Sequence, residues 1–308
     1  MHTTILYHGR CLDGIASAFA RWQVFGDDAQ YLPVAYGEPV PDIPPEHHIM
    51  IVDFSYDADI ILALYERHQH VIVLDHHKSA QAVLATVPDI RAEGRRLACY
   101  FDLHECGASL TWKYLHGGGW APARDPDPHG MEYSMPTFFK YVRDRDLWEW
   151  KLSDSKPISL AYWACDKDFL SMAQFAQDLD EAEGMHRIIT EGKAMQRYAD
   201  ALVQEQAARA VWGEIAGYQV PIINATTLFS EVGDYLCTTR PEIPFCAYFF
   251  FRDDKVQWGL RSHGPADVSL VAKQYGGGGH AQAAGFVTER TAVAQMLSQL
   301  PPIEGDGW

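Results

Sequence analysis

The 308 residues, 47% of them hydrophobic, suffice for a sizeable core and suggest one large or two ordinary domains. A formal charge of −16 makes the chain a poor candidate for gripping a long nucleic-acid duplex, though not for nucleotides or very short oligonucleotides, and no apolar run is long enough for a membrane span. The six cysteines lack CxxC spacing and the N-terminus reads as a strand instead of a signal peptide, so a reduced, cytoplasmic protein is expected.

In chain order, TTILYH (3–8) reads as a strand, and CLDGIASAFARWQVF turns into a helix with Ile15, Phe19 and Trp22 on one face. HIMIVDFS (48–55) is an apolar strand ending in a carboxylate, DADIILALYERHQ a helix, and HVIVLDHH a second apolar strand. Strands apolar on both faces and alternating with helices indicate a buried parallel sheet. Asp53 and Asp75-His76-His77 then fall at carboxyl ends of strands, the rim where open α/β sheets take their ligands.

CGASLTWKYLHGGG (106–119) reads as a helix closed by glycines, and APARDPDPHG (121–130) as a Pro-rich surface loop. TFFKYVRDRDLWEWKL (137–152) is helical or strand-like. Residues 168–212 are helical, with Met195, Tyr198 and Leu202 as a stripe suited to a long connecting helix. Near residue 215 the pattern changes to YQVPIINA, FCAYFFFRD and VQWGLRSHG, all strand-like, and VSLVAKQYGGGGH runs a short helix into a glycine loop. The expected fold is therefore α/β: an N-terminal parallel-sheet domain joined by a long helix to a smaller α/β C-terminal domain. The tail PPIEGDGW is expected to fray.

Four groups of donors occur in order: His8 with Asp13, then Asp53, then Asp75-His76-His77, then Asp144 and Asp146. Oxygen and imidazole donors suit Mn²⁺, Mg²⁺ or Co²⁺. A carboxylate shared by two such ions would let them clamp a phosphate and activate water. Singly, each aspartate reads equally well as a turn former or helix cap. The four glycines 276–279 let backbone approach a ligand and offer N–H groups to phosphate oxygens. His280 follows them in place of Gly-Lys-Ser/Thr, which excludes a P-loop. Arg261, beside Ser262 at a strand end, suits bidentate contact with a phosphate. Trp148 and Trp150 read either as base-stacking rings or as packing residues.

"VDFS", "LDHHKSA" and "RDRDLWEW", in this order, resemble the DHH phosphoesterase superfamily, and "LRSHGPADVSLVAKQYGGGGHAQAAGF" resembles the DHH-associated domain that follows in that family. The likeness runs from His8 to Phe286 and is nearest to the nanoRNase and oligoribonuclease branch. It implies a metal-binding catalytic domain at 1–175, a helical connector at 176–213 and a DHH-associated substrate-binding domain at 214–300. His8 would ligate a first metal, Asp13 and Asp146 a second, and Asp53 would bridge both. His76 would be the ligand of the triplet, with Asp75 as the carboxylate behind its ring and His77 facing the substrate phosphate. Asp144, the alternative to Asp146, reads as an ion-pair partner of Arg143 or Arg145. Arg261, Ser262, the glycines 276–279 and His280 would hold the far end of the substrate in a cleft between the domains. Gly107 and Ala108 either line that cleft or pack a helix start against the sheet.

One departure is evident. The family's first motif carries two aspartates separated by one residue, and here Cys11 stands at the first. Three readings are open: a weakened first metal, a different metal on Cys11, or only one tightly held ion. As packing, Cys11 is a small apolar residue. The activity implied is a one- or two-ion, Mn²⁺-dependent phosphodiesterase cutting oligonucleotides of two to five nucleotides to 5′-mononucleotides. A phosphatase of adenosine bisphosphate or pyrophosphate, a cyclic-dinucleotide phosphodiesterase and a nucleotide-binding regulator with impaired catalysis are the alternatives. A homodimer is compatible with the sequence.

Overall fold

The structure, a computed structural model, describes residues 2–9, 11–35, 37–68, 70–117 and 135–297; the expected loop at 121–130 and the tail lie outside them. The chain divides into two compact units, residues 1–196 and 197–308.

In the first unit, β1 (Thr3–His8) leads through α1 (Leu12–Phe25) to β2 (Ala29–Val34). β3 (His48–Val52), α2 (Ala58–His68), β4 (His70–Asp75) and α3 (Lys78–Leu84) follow, and then β5 (Ile90–Ala92) and β6 (Arg95–Phe101). The sheet order is β2-β1-β3-β4-β6-β5, parallel except for β5. Alternation along the central strands feeds two layers of core. Ile49, Ile51, Val71 and Val73 meet Ile61, Leu64 and Leu84 of α2 and α3. Met50, Val52, Ile72 and Leu74 meet Leu110 on the opposite face. That face is covered by α1 and α4 (Gly107–His116). Outside these lie α5 (Thr137–Asp146), α6 (Ser155–Ala164) and α7 (Phe169–Asp180), around Phe19, Phe138, Phe139 and Phe175. Phe19 is fully buried, with Ile15 and Trp22 packed beside it, as the helical spacing predicts.

Helix α8 (Ala182–Ala207) has 26 residues, a length of roughly 39 Å at 1.5 Å per residue. The predicted stripe is off by one position. Tyr198 is 69% exposed, whereas Ala199 and Val203 are buried. In the second unit β7 (Val211–Ile215) pairs with β8 (Tyr218–Asn224). Then come α9 (Phe229–Thr239), β9 (Cys246–Arg252), β10 (Lys255–Arg261), α10 (Val268–Lys273), β11 (Gly278–Gly279), β12 (Ala283–Glu289) and α11 (Thr291–Leu297). The sheet order is β11-β12-β10-β9-β8-β7, antiparallel except between β8 and β9. Trp258 and Phe286 stack in its core.

Candidate metal centre

The connection β1–α1–β2 runs to one side of β1, and the chain then returns to place β3 on the other side. That reversal of strand order is where a doubly wound sheet opens a crevice at its carboxyl rim. His8 ends β1, Asp53 directly follows β3, and Asp75 ends β4. Three neighbouring strands thus deliver their terminal polar residues to one place.

Local backbone fixes each of them. Asp53 takes the left-handed conformation (φ 61°), uncommon for a residue with a Cβ, and its N–H donates to Leu74 O at 3.0 Å. Gly14 lets the first turn of α1 lie on His8, since a Cβ there would stand 2.0 Å from His8 O. Cys11 caps α1, its sulfur accepting from Gly14 N at 3.1 Å. Asp13, in the first turn, is buried and accepts from Gly107 N (2.5 Å) and Ala108 N (2.9 Å) at the start of α4. A helix N-terminus thereby holds a carboxylate by its unpaired N–H groups. Gly107 is needed for this approach: a Cβ there would stand 2.5 Å from Asp53 Cβ. Its N–H serves Asp13, and this helix start is buried.

Asp53 is the hub. Its Oδ1 lies 3.1 Å from His76 Nε2, and its Oδ2 accepts from Cys11 Sγ at 2.9 Å and lies 3.6 Å from His8 Nδ1. His76 Nε2 also stands 3.6 Å from both Asp13 Oδ2 and Asp146 Oδ2. The donor atoms form two overlapping sets, His8-Cys11-Asp53 and Asp13-Asp53-His76, each with all its atoms within 4.8 Å of one another. Burial, together with Asp53 and Asp146, holds the Asp13 carboxyl well above the ordinary range. Burial works in the same direction on Asp53, but hydrogen bonds from His76 and His8 outweigh it and hold that carboxyl well below. Burial with Asp53 raises Asp146 against the pull of His76. Burial opposes the charge on His76, yet Asp53 and Asp146 bring its pKa up to about 9. Burial, with Asp53 and Asp13 nearby, raises the Cys11 thiol. Clustered carboxylates that resist ionising together, with imidazole among them, are a donor set that divalent cations would relieve. The residues present therefore fit the ions that the resemblance implies.

The roles within the triplet differ from expectation. Asp75 Oδ1 meets the ring of His77 (Nδ1, 2.8 Å) and accepts from the backbone N–H groups of His76 (2.7 Å) and His77 (3.1 Å). The carboxylate stands behind His77, not behind the His76 ring. Asp144 is buried and ties the turn after α5, accepting from Lys151 N at 2.8 Å and Leu152 N at 3.4 Å. Arg143 meets Glu105 and Glu149. In that turn Trp148 and Trp150 lie edge to face, 4.9 Å apart.

In the second unit Arg261 ends β10 and is buried. Ser262, fully buried, donates its N–H to Gln282 O and its hydroxyl to Gly264 O. The glycine run differs from an open cradle. Gly276 N and Gly277 N donate to Lys273 O and Ala272 O, His280 N donates to Ala283 O, and Gly278–Gly279 pair with β12. Gly277 and Gly279 are required by crowding, since a Cβ would stand 2.1 Å from Gly285 O on the first and 2.6 Å from Ala283 O on the second, whereas Gly276 takes φ 77° in open space. The Cys106 thiol, which touches Asp13, was missed as a site residue, and Ala108 serves through its N–H to Asp13. The predicted helix start at Cys-Gly-Ala was the signal that could have found the thiol.

No family model matches the chain. It is similar to an uncharacterized protein, R106, of Acanthamoeba polyphaga mimivirus, with 25% identity over 309 residues covering 92% of this chain and 66% of the relative. It is also similar to the oligoribonuclease NrnB of Bacillus subtilis (strain 168), with 29% identity over 170 residues covering 49% of this chain and 39% of that one. The chain thus spans less than two thirds of the length of both relatives. Among solved structures, the DHH domain protein PF0399, described as a member of the s1p family of ribosomal proteins, superposes with a TM-score of 0.55. Its identity is 12%, over 96% of this chain and 86% of that one, a likeness of fold.

Proposed function

Taking the DHH phosphoesterase superfamily as the premise, we propose that the chain is a metal-dependent phosphodiesterase that hydrolyses very short oligonucleotides to 5′-mononucleotides. The observation that carries this reading is the pair of donor sets joined at Asp53. Asp13, Asp53, His76 and Asp146 would hold an oxygen-preferring ion, Mn²⁺ first and Mg²⁺ next, and His8 with Asp53 would contribute to a second. When bound, such ions supply positive charge beside the phosphoryl group and an acidified water.

The chain's own residues would do the rest. Asp13 and Asp53 accept hydrogen bonds from the attacking water and so orient it. The bond formed is from water oxygen to phosphorus, and the bond broken is to the ribose oxygen of the leaving nucleotide. His77, its ring fixed through Nδ1 by Asp75, neutralises a non-bridging oxygen in the transition state. Arg261 and His280 are assigned to the distal phosphate through the family resemblance. The preference for short substrates is supported by the charge of −16 and by the name of the Bacillus relative.

The test is turnover of a 5′-phosphorylated dinucleotide with Mn²⁺, beside a cyclic dinucleotide, adenosine bisphosphate, pyrophosphate and single-stranded DNA. Fastest release of 5′-mononucleotide from the linear dinucleotide is expected. Binding without turnover would sink the enzymatic reading in favour of a nucleotide sensor.

A further inference from the structure

We propose that His8, Cys11 and Asp53 form a thiolate-containing site for a thiophilic divalent ion of the zinc or cobalt class, chemically unlike the oxygen-rich set of Asp13, His76 and Asp146. The inference rests on the metal-dependent reading of this rim and specifies which ion one half of it takes.

The geometry comes first. The three donor–donor distances are 3.1 Å (His8 Nδ1 to Cys11 Sγ), 2.9 Å (Cys11 Sγ to Asp53 Oδ2) and 3.6 Å (His8 Nδ1 to Asp53 Oδ2). Tetrahedral zinc with its usual bonds sets the nitrogen–oxygen edge at roughly 3.4 Å and the two edges to sulfur at roughly 3.6 Å. The nitrogen–oxygen edge lies within about 0.2 Å of that length, and the two edges to sulfur reach theirs by opening about half an ångström at Cys11. Each donor is carried by a different fixed backbone feature. His8 ends a central strand, Cys11 caps α1, and Asp53 is pinned by its bond to Leu74 O.

The chemistry decides the ion. One sulfur, one imidazole nitrogen and one carboxylate oxygen make a mixed, borderline-soft set that suits zinc and cobalt, whereas Mn²⁺ and Mg²⁺ prefer oxygen. On binding, the sulfur's proton leaves to solvent and the sulfur–metal bond replaces its contact with Asp53. The remaining tetrahedral position is open to water or to a substrate oxygen.

Chelator-treated protein titrated with Co²⁺ and followed by near-ultraviolet absorption tests this directly. A sulfur-to-cobalt charge-transfer band saturating at one equivalent is expected, abolished in Cys11→Ser and in Cys11→Asp. Zn²⁺ should bleach the band and equimolar Mn²⁺ should not. Cys11→Asp should shift the Zn²⁺-over-Mn²⁺ preference towards Mn²⁺ by about tenfold or more. Far-ultraviolet circular dichroism checks that the variants fold, and Cys11→Asp decides if Cys11→Ser does not. Absence of the band overturns the site, as does its persistence in a folded Cys11 variant, which would place the sulfur at Cys106. Turnover of the dinucleotide, assayed in parallel, separates the two readings. A band without turnover keeps this site and overturns the phosphodiesterase; turnover without a band overturns this site alone.

Discussion

Asp75 illustrates how a residue can matter without touching anything that reacts. Its carboxylate binds the His77 ring and the backbone of both histidines, so it sets the exit of the chain from β4. Asp75→Asn keeps the shape and removes the charge behind the imidazole, and a 10- to 100-fold loss of activity is the rough expectation for such a supporting partner. The loss should fall on kcat and the pH profile, with KM little changed; an unaltered pH profile would limit Asp75 to a structural role. His68 offers a cleaner test of burial. It is 1% exposed at the end of α2, and burial, with Arg67 and His47 nearby, lowers its pKa below the ordinary value. Above the unfolded pKa of roughly 6.5 both states are neutral and the stability is complete. As pH falls below that value the unfolded chain takes up a proton that the folded one resists, and stability declines until the lowered folded pKa is reached. Urea midpoints at pH 7.5 and pH 5.5 (roughly one unit either side of the unfolded value) should therefore differ in the wild type and differ less in His68→Leu. An equal drop in both would contradict the assignment.

At the level of elements, the start of α4 does two tasks, holding Asp13 and leaving room for Asp53. Gly107→Ala places a methyl group against Asp53 Cβ, where backbone must move. A loss of about 1–3 kcal/mol in stability is expected from such overpacking, with a fall in metal affinity measured by calorimetry. Unchanged affinity would show that the α4 contact does not position the site. The strands β1, β3 and β4 and the helices α1, α2 and α4 are legible in the sequence because they are buried and strongly periodic. β2 is not: AQYLPV is half-exposed at the sheet edge and carries Pro33, which an edge strand tolerates. β6 begins Arg-Arg and hides its apolar run behind charge. The proximity of His8, Asp13, Asp53, His76 and Asp146 is likewise legible, since strand ends and the resemblance point to these residues and the structure brings them together. The partner of Asp75 was not, because alternation stops where a strand ends and the side-chain directions of His76 and His77 depend on the turn. Nor was the pairing of Gly278–Gly279 with β12 legible, because a run of glycines shows backbone freedom without showing what the backbone meets.

Across the whole molecule, the net charge of −16 would, on the proposed activity, bear on which substrates arrive. A dinucleotide carries little charge to repel, whereas a long strand accumulates it. Efficiency on a dinucleotide should exceed that on a long single strand, and added salt should narrow the gap by screening. A gap that widens with salt would show that charge is not the cause. Asp53 carries a last consequence. One carboxylate offers one oxygen to each donor set, so the two halves of the centre compete for the same negative charge. Occupancy at one half must then weaken the other, and by thermodynamic reciprocity the penalty is the same whichever fills first. The centre would behave as an anticooperative pair, filling in two separated steps whose spacing reports the free energy passed through a single side chain.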